Sequence, residues 1–212
     1  MKGNHASIKL KGPRMNQPDP QPKRRRARNA RPKIERAALK LFVEEGVGAA
    51  TTRDIADEAG VSEGALYRHY KGKDELAHSL FMETHNRLGE LVLTAGATAG
   101  DLDTKVRAIV TAYCTLADED WLLFSFHLVS LHKFLPHDTR RDDDPVSVTE
   151  TIIKALMQAG EIPEGDPELL AAMALGVVLQ AGENKVYGRL PGPFASHIDA
   201  FTRAIVAILK QK

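Results

Sequence analysis

Residues 51–73, TTRDIADEAGVSEGALYRHYKGK, constrain the fold more tightly than any other stretch of the chain. Ile55, Ala59, Val61 and Leu66 are apolar at spacings that let two short helices share one small core, and Ala56 is small where those helices cross. Gly60 stands between them, where a tight turn needs a left-handed backbone. Thr51 or Thr52 can cap the first helix, with Asp54 near its positive end; Ser62 can cap the second, with Glu63 in its first turn. The polar residues of the second helix then point outward, with Tyr67, Arg68, His69 and Tyr70 near its end. A helix that short buries too little to exist for its own stability, so its outer face is where function is expected. The pattern is that of a helix-turn-helix.

Charge agrees. The formal net charge of +1 conceals an asymmetry: residues 1–73 hold 17 Lys+Arg against 8 Asp+Glu, a net of +9, and the remainder holds 12 against 20, a net of −8. A basic front and an acidic rest suit a protein that offers one end to a polyanion. Residues 1–29, rich in proline and carrying the run KRRRAR at 23–28, read as a disordered basic arm, either a solvated tail or an arm that lies along phosphates or in a minor groove.

The rest of the chain reads as one helix after another, with no convincing strand and no repeat. Ile34, Ala38, Leu41 and Phe42 repeat at helical spacing until Gly46. A long helix from about Asp74 carries Leu76, Leu80, Phe81, Leu88 and Leu91, and the small residues of 94–100 should break it. Asp101 caps the next, an apolar helix follows over Trp121–Phe134, and 137–145 is a polar loop. Helices over Val146–Ala159, from Asp166–Pro167–Glu168 to about Tyr187, and along Phe194, Ile198, Phe201, Ile205 and Leu209 complete the count. The expectation is an all-α fold of about nine helices: a helix-turn-helix domain over 30–73 and a larger helical domain over 74–212. Apolar runs are too short or too charged for a membrane helix, and no apolar segment follows the basic amino terminus as in a secretory signal. A single cysteine, Cys114, allows no internal disulfide, fits a reducing compartment such as the cytoplasm, and reads as core filler.

The stretch ATTRDIADEAGVSEGALYRHYKGKDEL resembles the amino-terminal domain of the tetracycline-repressor (TetR) family of bacterial transcription regulators, over about residues 30–76. The resemblance implies a dimer, a double-stranded DNA operator with two related half-sites, and a small-molecule pocket in the larger domain. It places Tyr67 and His69 at positions that bond phosphates and Arg68 at a variable one that meets sugar or phosphate. Residue chemistry fills in the rest of the interface. Gly64 and Ala65 permit close approach to a groove, and Ala65 is suited to a thymine methyl. Glu63 either accepts from a cytosine amine or serves the helix dipole, and Arg53 either reaches DNA or pairs with Asp57 four residues on. Thr51, Thr52, Ser62 and Lys73, at helix starts, add hydroxyls, an ammonium and free backbone N–H groups.

In the larger domain the last two long helices are the expected dimer seam. One alternates large and small residues around Gly176 and Gly182, and the other carries the apolar row from Phe194 to Leu209. His85, Tyr113, Trp121, Phe124, Phe126, His127, Met157 and Met173 are candidates to line an effector pocket. Gln180, Glu183 and Asn184 fit the pocket, the seam or solvent. His127, His132 and His137 are five apart, about 140° around a helix, so they do not converge on a metal. No nucleophile elbow, phosphate loop or dinucleotide fingerprint appears, so neither catalysis nor a cofactor is expected. The expectation is a ligand-responsive repressor; the alternatives are a constitutive DNA-binding protein and an all-α enzyme.

Overall fold

The computed structural model describes residues 30–135 and 144–211, so the basic arm and most of the expected polar loop lie outside the described residues. The described residues form nine α-helices and no strand: α1 (Ala30–Glu44), α2 (Thr52–Ala59), α3 (Glu63–Leu66), α4 (Lys73–Gly96), α5 (Leu102–Glu119), α6 (Trp121–Phe134), α7 (Pro145–Gln158), α8 (Pro167–Val186) and α9 (Ile198–Leu209). Most starts are set by local chemistry. Asp101, Asp120, Asp144 and Asp166 each accept backbone N–H groups at a helix start, and proline follows the last two directly.

Two departures from the sequence pattern have visible causes. α4 runs into the small-residue stretch as far as Gly96, where a Cβ would come within 2.5 Å of the Ile152 Cδ1 atom of α7. Glycine is there because another helix's side chain occupies the space, and the break comes one residue later. The last helix begins as a 3-10 turn over Phe194–His197, because Asp118 of α5 accepts the N–H groups of Phe194 and Ala195 at 2.8 Å each. Phe194, Phe201, Ile205 and Leu209 of the apolar row expected at a dimer seam are buried in the body core, and Ile198 is partly buried against it. α8 differs: it is apolar enough to resemble a membrane-crossing helix by length and composition, yet its buried residues are only Leu170, Ala171, Ala174, Val178 and Gly182.

There are two cores. The head core joins α1, α2 and α3 through Ile34, Phe42, Ile55 and Leu66. It does not stop at residue 73: Leu76, Leu80 and Phe81 of α4 and Phe126 of α6 belong to it. The body core joins α4 to α9 around Leu88, Val110, Phe124, Ile153 and Ile205, with Cys114 fully buried among them and its thiol pushed up to about 12 by that burial. α6 thus faces both ways, turning Phe126 onto Phe42 (5.6 Å between ring centroids) and Phe124 onto Tyr113 (5.2 Å).

Between the two cores sits a buried histidine pair. His85 Nδ1 of α4 and His127 Nε2 of α6 are 3.3 Å apart, and the Phe81 ring stacks on both, at 5.4 and 4.8 Å. These histidines were candidates for a ligand pocket; they join head to body instead. Burial, and secondly His85, hold the His127 imidazole down at about 3 from an ordinary 6.5. The unfolded chain therefore takes up a proton near 6.5 that the folded chain refuses until about 3, and folding stability falls as pH is lowered across that window.

Two outcomes are expected. Phe126→Ala should lower unfolding stability by about 3–5 kcal/mol, as for a fully buried ring removed from a packed site, measured by urea denaturation. The wild-type unfolding free energy from urea denaturation should fall between pH 7 and pH 5, by up to about 1.4 kcal/mol per pH unit for this one group, and His127→Leu should flatten that slope.

Candidate nucleic-acid interface and cavity

The head presents α3 by a set of short, local devices. Thr51 is the cap of α2: its Oγ1 accepts the Asp54 N–H at 3.1 Å, and Asp54 accepts the Thr51 N–H at 3.0 Å. The Thr51 hydroxyl, which donates to Asp54 Oδ2 at 2.6 Å, and secondly the Thr51 N–H hold the Asp54 carboxyl below the ordinary carboxylate range. Gly60 closes α2 in the left-handed region (φ 64°), and the Val61 N–H returns to the Ala56 carbonyl at 2.9 Å. Leu66, fully buried, anchors α3 to the head core. Ser62 occupies the cap position of α3 in extended geometry, but its hydroxyl makes no capping bond, contrary to the sequence expectation.

The outer face gathers Thr52, Glu63 and Tyr67 into one relay. The Thr52 hydroxyl donates to Glu63 Oε1 at 3.0 Å and lies 3.3 Å from the Tyr67 hydroxyl. Thr52 has one proton, and Glu63 takes it, so Tyr67 is the donor in the second bond. Tyr67 is 54% exposed. Around this relay, Gly64 and Arg68 are exposed, with Arg68 Nε donating to the Gly64 carbonyl at 3.2 Å, and Ala65 and His69 are half-buried. Arg53 lies 3.9 Å from Asp57 with both side chains largely in water, an ion pair of small worth that leaves the guanidinium available.

Two expected contacts turn inward. Tyr70 is buried; its hydroxyl donates to Glu35 Oε1 at 2.5 Å and accepts from Arg31 Nε at 3.2 Å, and burial together with the Glu35 carboxylate pushes it up to about 12. It is a strut between α1 and the end of α3 rather than part of the outer face. Lys73 spends two protons on the carbonyls of Gly48 (2.8 Å) and Ala50 (2.7 Å), pinning the loop before α2 to the first turn of α4. No local sequence signal marks either role, because the partners are backbone atoms or lie 35 residues upstream.

The body holds a cavity that opens to solvent on one side. Its wall comes from five helices, represented by Val92 of α4, Val110 of α5, Ile153 of α7, Val178 of α8 and Ile205 of α9. Of the residues expected there, only Tyr113 lines it. Trp121 and Phe124 pack into an aromatic cluster with Phe194, and Met157 is buried in the body core. Met173 meets Gln211 at 3.8 Å, and exposed Gln180 donates to Glu183 at 3.2 Å. The sequence pointed to aromatic and sulfur side chains; the true wall is aliphatic and looks in sequence like any helix core. Among the described residues no group of three or more His, Cys, Asp or Glu is placed to hold a metal ion.

The described residues thus form a helix-turn-helix head on a helical body that holds a cavity, and known proteins share this architecture. Residues 34–80 match the bacterial regulatory proteins of the tetR family. HTH-type transcriptional regulator AcrR of Shigella flexneri is 37% identical over 67 residues, a match spanning 32% of this chain and only 31% of that relative. An HTH-type transcriptional regulator of Bacillus subtilis (strain 168), YvkB, is 26% identical over 67% of this chain and 75% of its own. Among solved structures, a TetR family transcription regulator from Marinobacter aquaeolei VT8 covers 89% of this chain and 100% of its own with a TM-score of 0.71 at 19% identity. The transcriptional regulator FadR from Bacillus subtilis, in complex with stearoyl-CoA, covers 84% of this chain and 98% of its own with a TM-score of 0.66 at 20% identity. The likeness to the tetR family of bacterial regulatory proteins thus rests on residues 34–80, which hold the helix-turn-helix, and the solved structures extend the likeness of fold over the body.

Tyr70→Phe should cost about 1 kcal/mol of folding stability through the lost bond to Glu35, read by thermal or urea unfolding. It should leave DNA sequence preference unchanged; a changed preference would put Tyr70 back on the reading face.

Proposed function

We propose that the chain is a homodimeric, cytoplasmic DNA-binding transcription regulator, a repressor released from a palindromic operator by a small molecule. Residues 30–73 serve as the reading head and 74–212 as the sensing and dimerising body. The observation that carries this reading is the outward face of α3. A four-residue helix anchored from behind by Leu66 presents Gly64 to solvent, and the turn that follows presents Tyr67 and Arg68, beside Thr52 and Arg53 of α2. Short side chains at the start of α3 allow entry to a major groove, and the flanking hydroxyls and guanidinium groups suit phosphates. Thr51, Ser62 and Lys73 support the face from helix starts; Glu63, Ala65 and His69 complete it.

Two heads are needed for specific binding, set one helical turn apart, about 34–36 Å. The outer face of α8 supports a pairing surface. Leu169, Gly176, Glu183 and Tyr187 fall on one stripe, with Leu169 57% and Tyr187 68% exposed, and Gly176 lets a second helix approach closely. Gln180 and Glu183, bonded to each other, lie along this stripe rather than in the cavity. The cavity supports the release step: a molecule that fits better in another head spacing draws the population away from DNA. FadR of Bacillus subtilis, in complex with stearoyl-CoA, supports an effector with a hydrocarbon part.

Purified protein offered a pool of random duplexes should enrich an inverted repeat with half-site centres one helical turn apart, bound with steep salt dependence. Recovery of no common sequence would end the reading. For the seam, Gly176→Arg is the discriminating change, since a side chain there meets nothing within the subunit. The variant should keep its helical content and sediment as a monomer with weakened operator binding; a dimer of unchanged affinity would move the seam off α8.

A further inference from the structure

The cavity has an aliphatic wall and one charged post. Lys105 of α5 alone among its lining residues carries a charge. Its side chain is only 19% exposed, and its Nζ donates to both carboxylate oxygens of Glu161, at 2.7 and 3.0 Å. Glu161 does not come from a helix. It lies in the turn after α7, its own N–H bonded to the Leu156 carbonyl at 3.0 Å, with a third of its side chain in water. The nearby cations Arg107 and Lys210 are paired with Asp199 and Asp103, and each is 53% exposed, so they stand in solvent rather than in the wall.

An ammonium set in an apolar wall needs an anion, because leaving it unpaired out of water is costly. Glu161 supplies one from the rim. A molecule that fills the cavity with hydrocarbon and brings its own carboxylate supplies it equally well and returns Glu161 to water, where its charge is well solvated. We propose that the ligand of this cavity is an amphipathic carboxylate, its hydrocarbon part among the aliphatic side chains and its headgroup on Lys105 Nζ in place of Glu161. The proposal rests on the reading of the cavity as the effector site. It requires discrimination between headgroups on one chain: a neutral alcohol gains only the apolar contact, and an amine meets like charge.

The test is binding of decanoate, decanol and decylamine to the full chain, below micelle-forming concentrations, by calorimetry. Decanoate should bind about tenfold more tightly than decanol, with decylamine weakest, as for one charge-assisted hydrogen bond partly offset by the loss of Glu161. Lys105→Met should erase the preference for the acid while leaving decanol binding unchanged, and Glu161→Gln should strengthen decanoate binding. Val178→Phe, or Ala174→Phe where the first fails to fold, should block both ligands by filling the cavity. Equal binding of acid and alcohol by the wild type, or a preference that survives Lys105→Met, would overturn the headgroup assignment and leave the cavity reading standing. Failure of all three compounds to bind, or binding indifferent to the cavity-filling variants, would overturn both.

Discussion

One helix is obliged to satisfy two cores at once. The first turns of α4 place Leu76, Leu80 and Phe81 in the head, and its later turns place Leu88 and Val92 in the body. α4 is one continuous helix of 24 residues, so its two ends are placed together. The orientation of the head is therefore fixed by how α4 lies in the body, and α6 locks that arrangement by sending Phe126 one way and Phe124 the other. The histidine pair lies at the crossing, where burial keeps His127 neutral and the two rings share one stacking partner. A polar contact at that point fixes relative position more narrowly than apolar packing would, because 3.3 Å between two nitrogens tolerates little sliding.

The reading face is arranged with similar economy. In the free protein the Tyr67 and Thr52 hydroxyls run in sequence onto Glu63, so no hydroxyl proton points idly at water. A phosphate arriving at Tyr67 competes with Thr52 for that proton. On the function proposed above, Glu63 orients both donors before DNA arrives, which reduces the ordering cost of binding.

Features of the chain decided by neighbours in sequence were readable in advance, and those decided by distant partners were not. Thr51, Gly60 and Leu66 admit one compact local solution, and Asp101 and Asp166–Pro167 mark helix starts through bonds within three residues. Tyr70 and Tyr67 look alike on paper, three residues apart just after α3; only Glu35 and Arg31, far upstream, turn one of them inward. Lys73 bonds to carbonyls, which every residue possesses, so no side-chain pattern announces it. His85 and His127 are 42 residues apart and resemble pocket polar groups until both helices are placed. The cavity wall escaped notice because valine and isoleucine facing an empty space are spelled no differently from valine and isoleucine facing each other. The apolar row of α9 was visible, but which partner it covers depends on α5 and Asp118.

Gly96 brings no side chain to its contact with α7. The methyl of Ile152 rests in a notch that only the absence of a side chain leaves open in the last turn of α4, and the same isoleucine forms part of the cavity wall. Whatever fills the chamber and presses that residue aside presses on the far end of a stiff rod whose near end begins at the head. Near its middle that rod sets its own Phe81 and His85 against His127 of α6, so the contact stands between the two tips as the pivot stands in a lever.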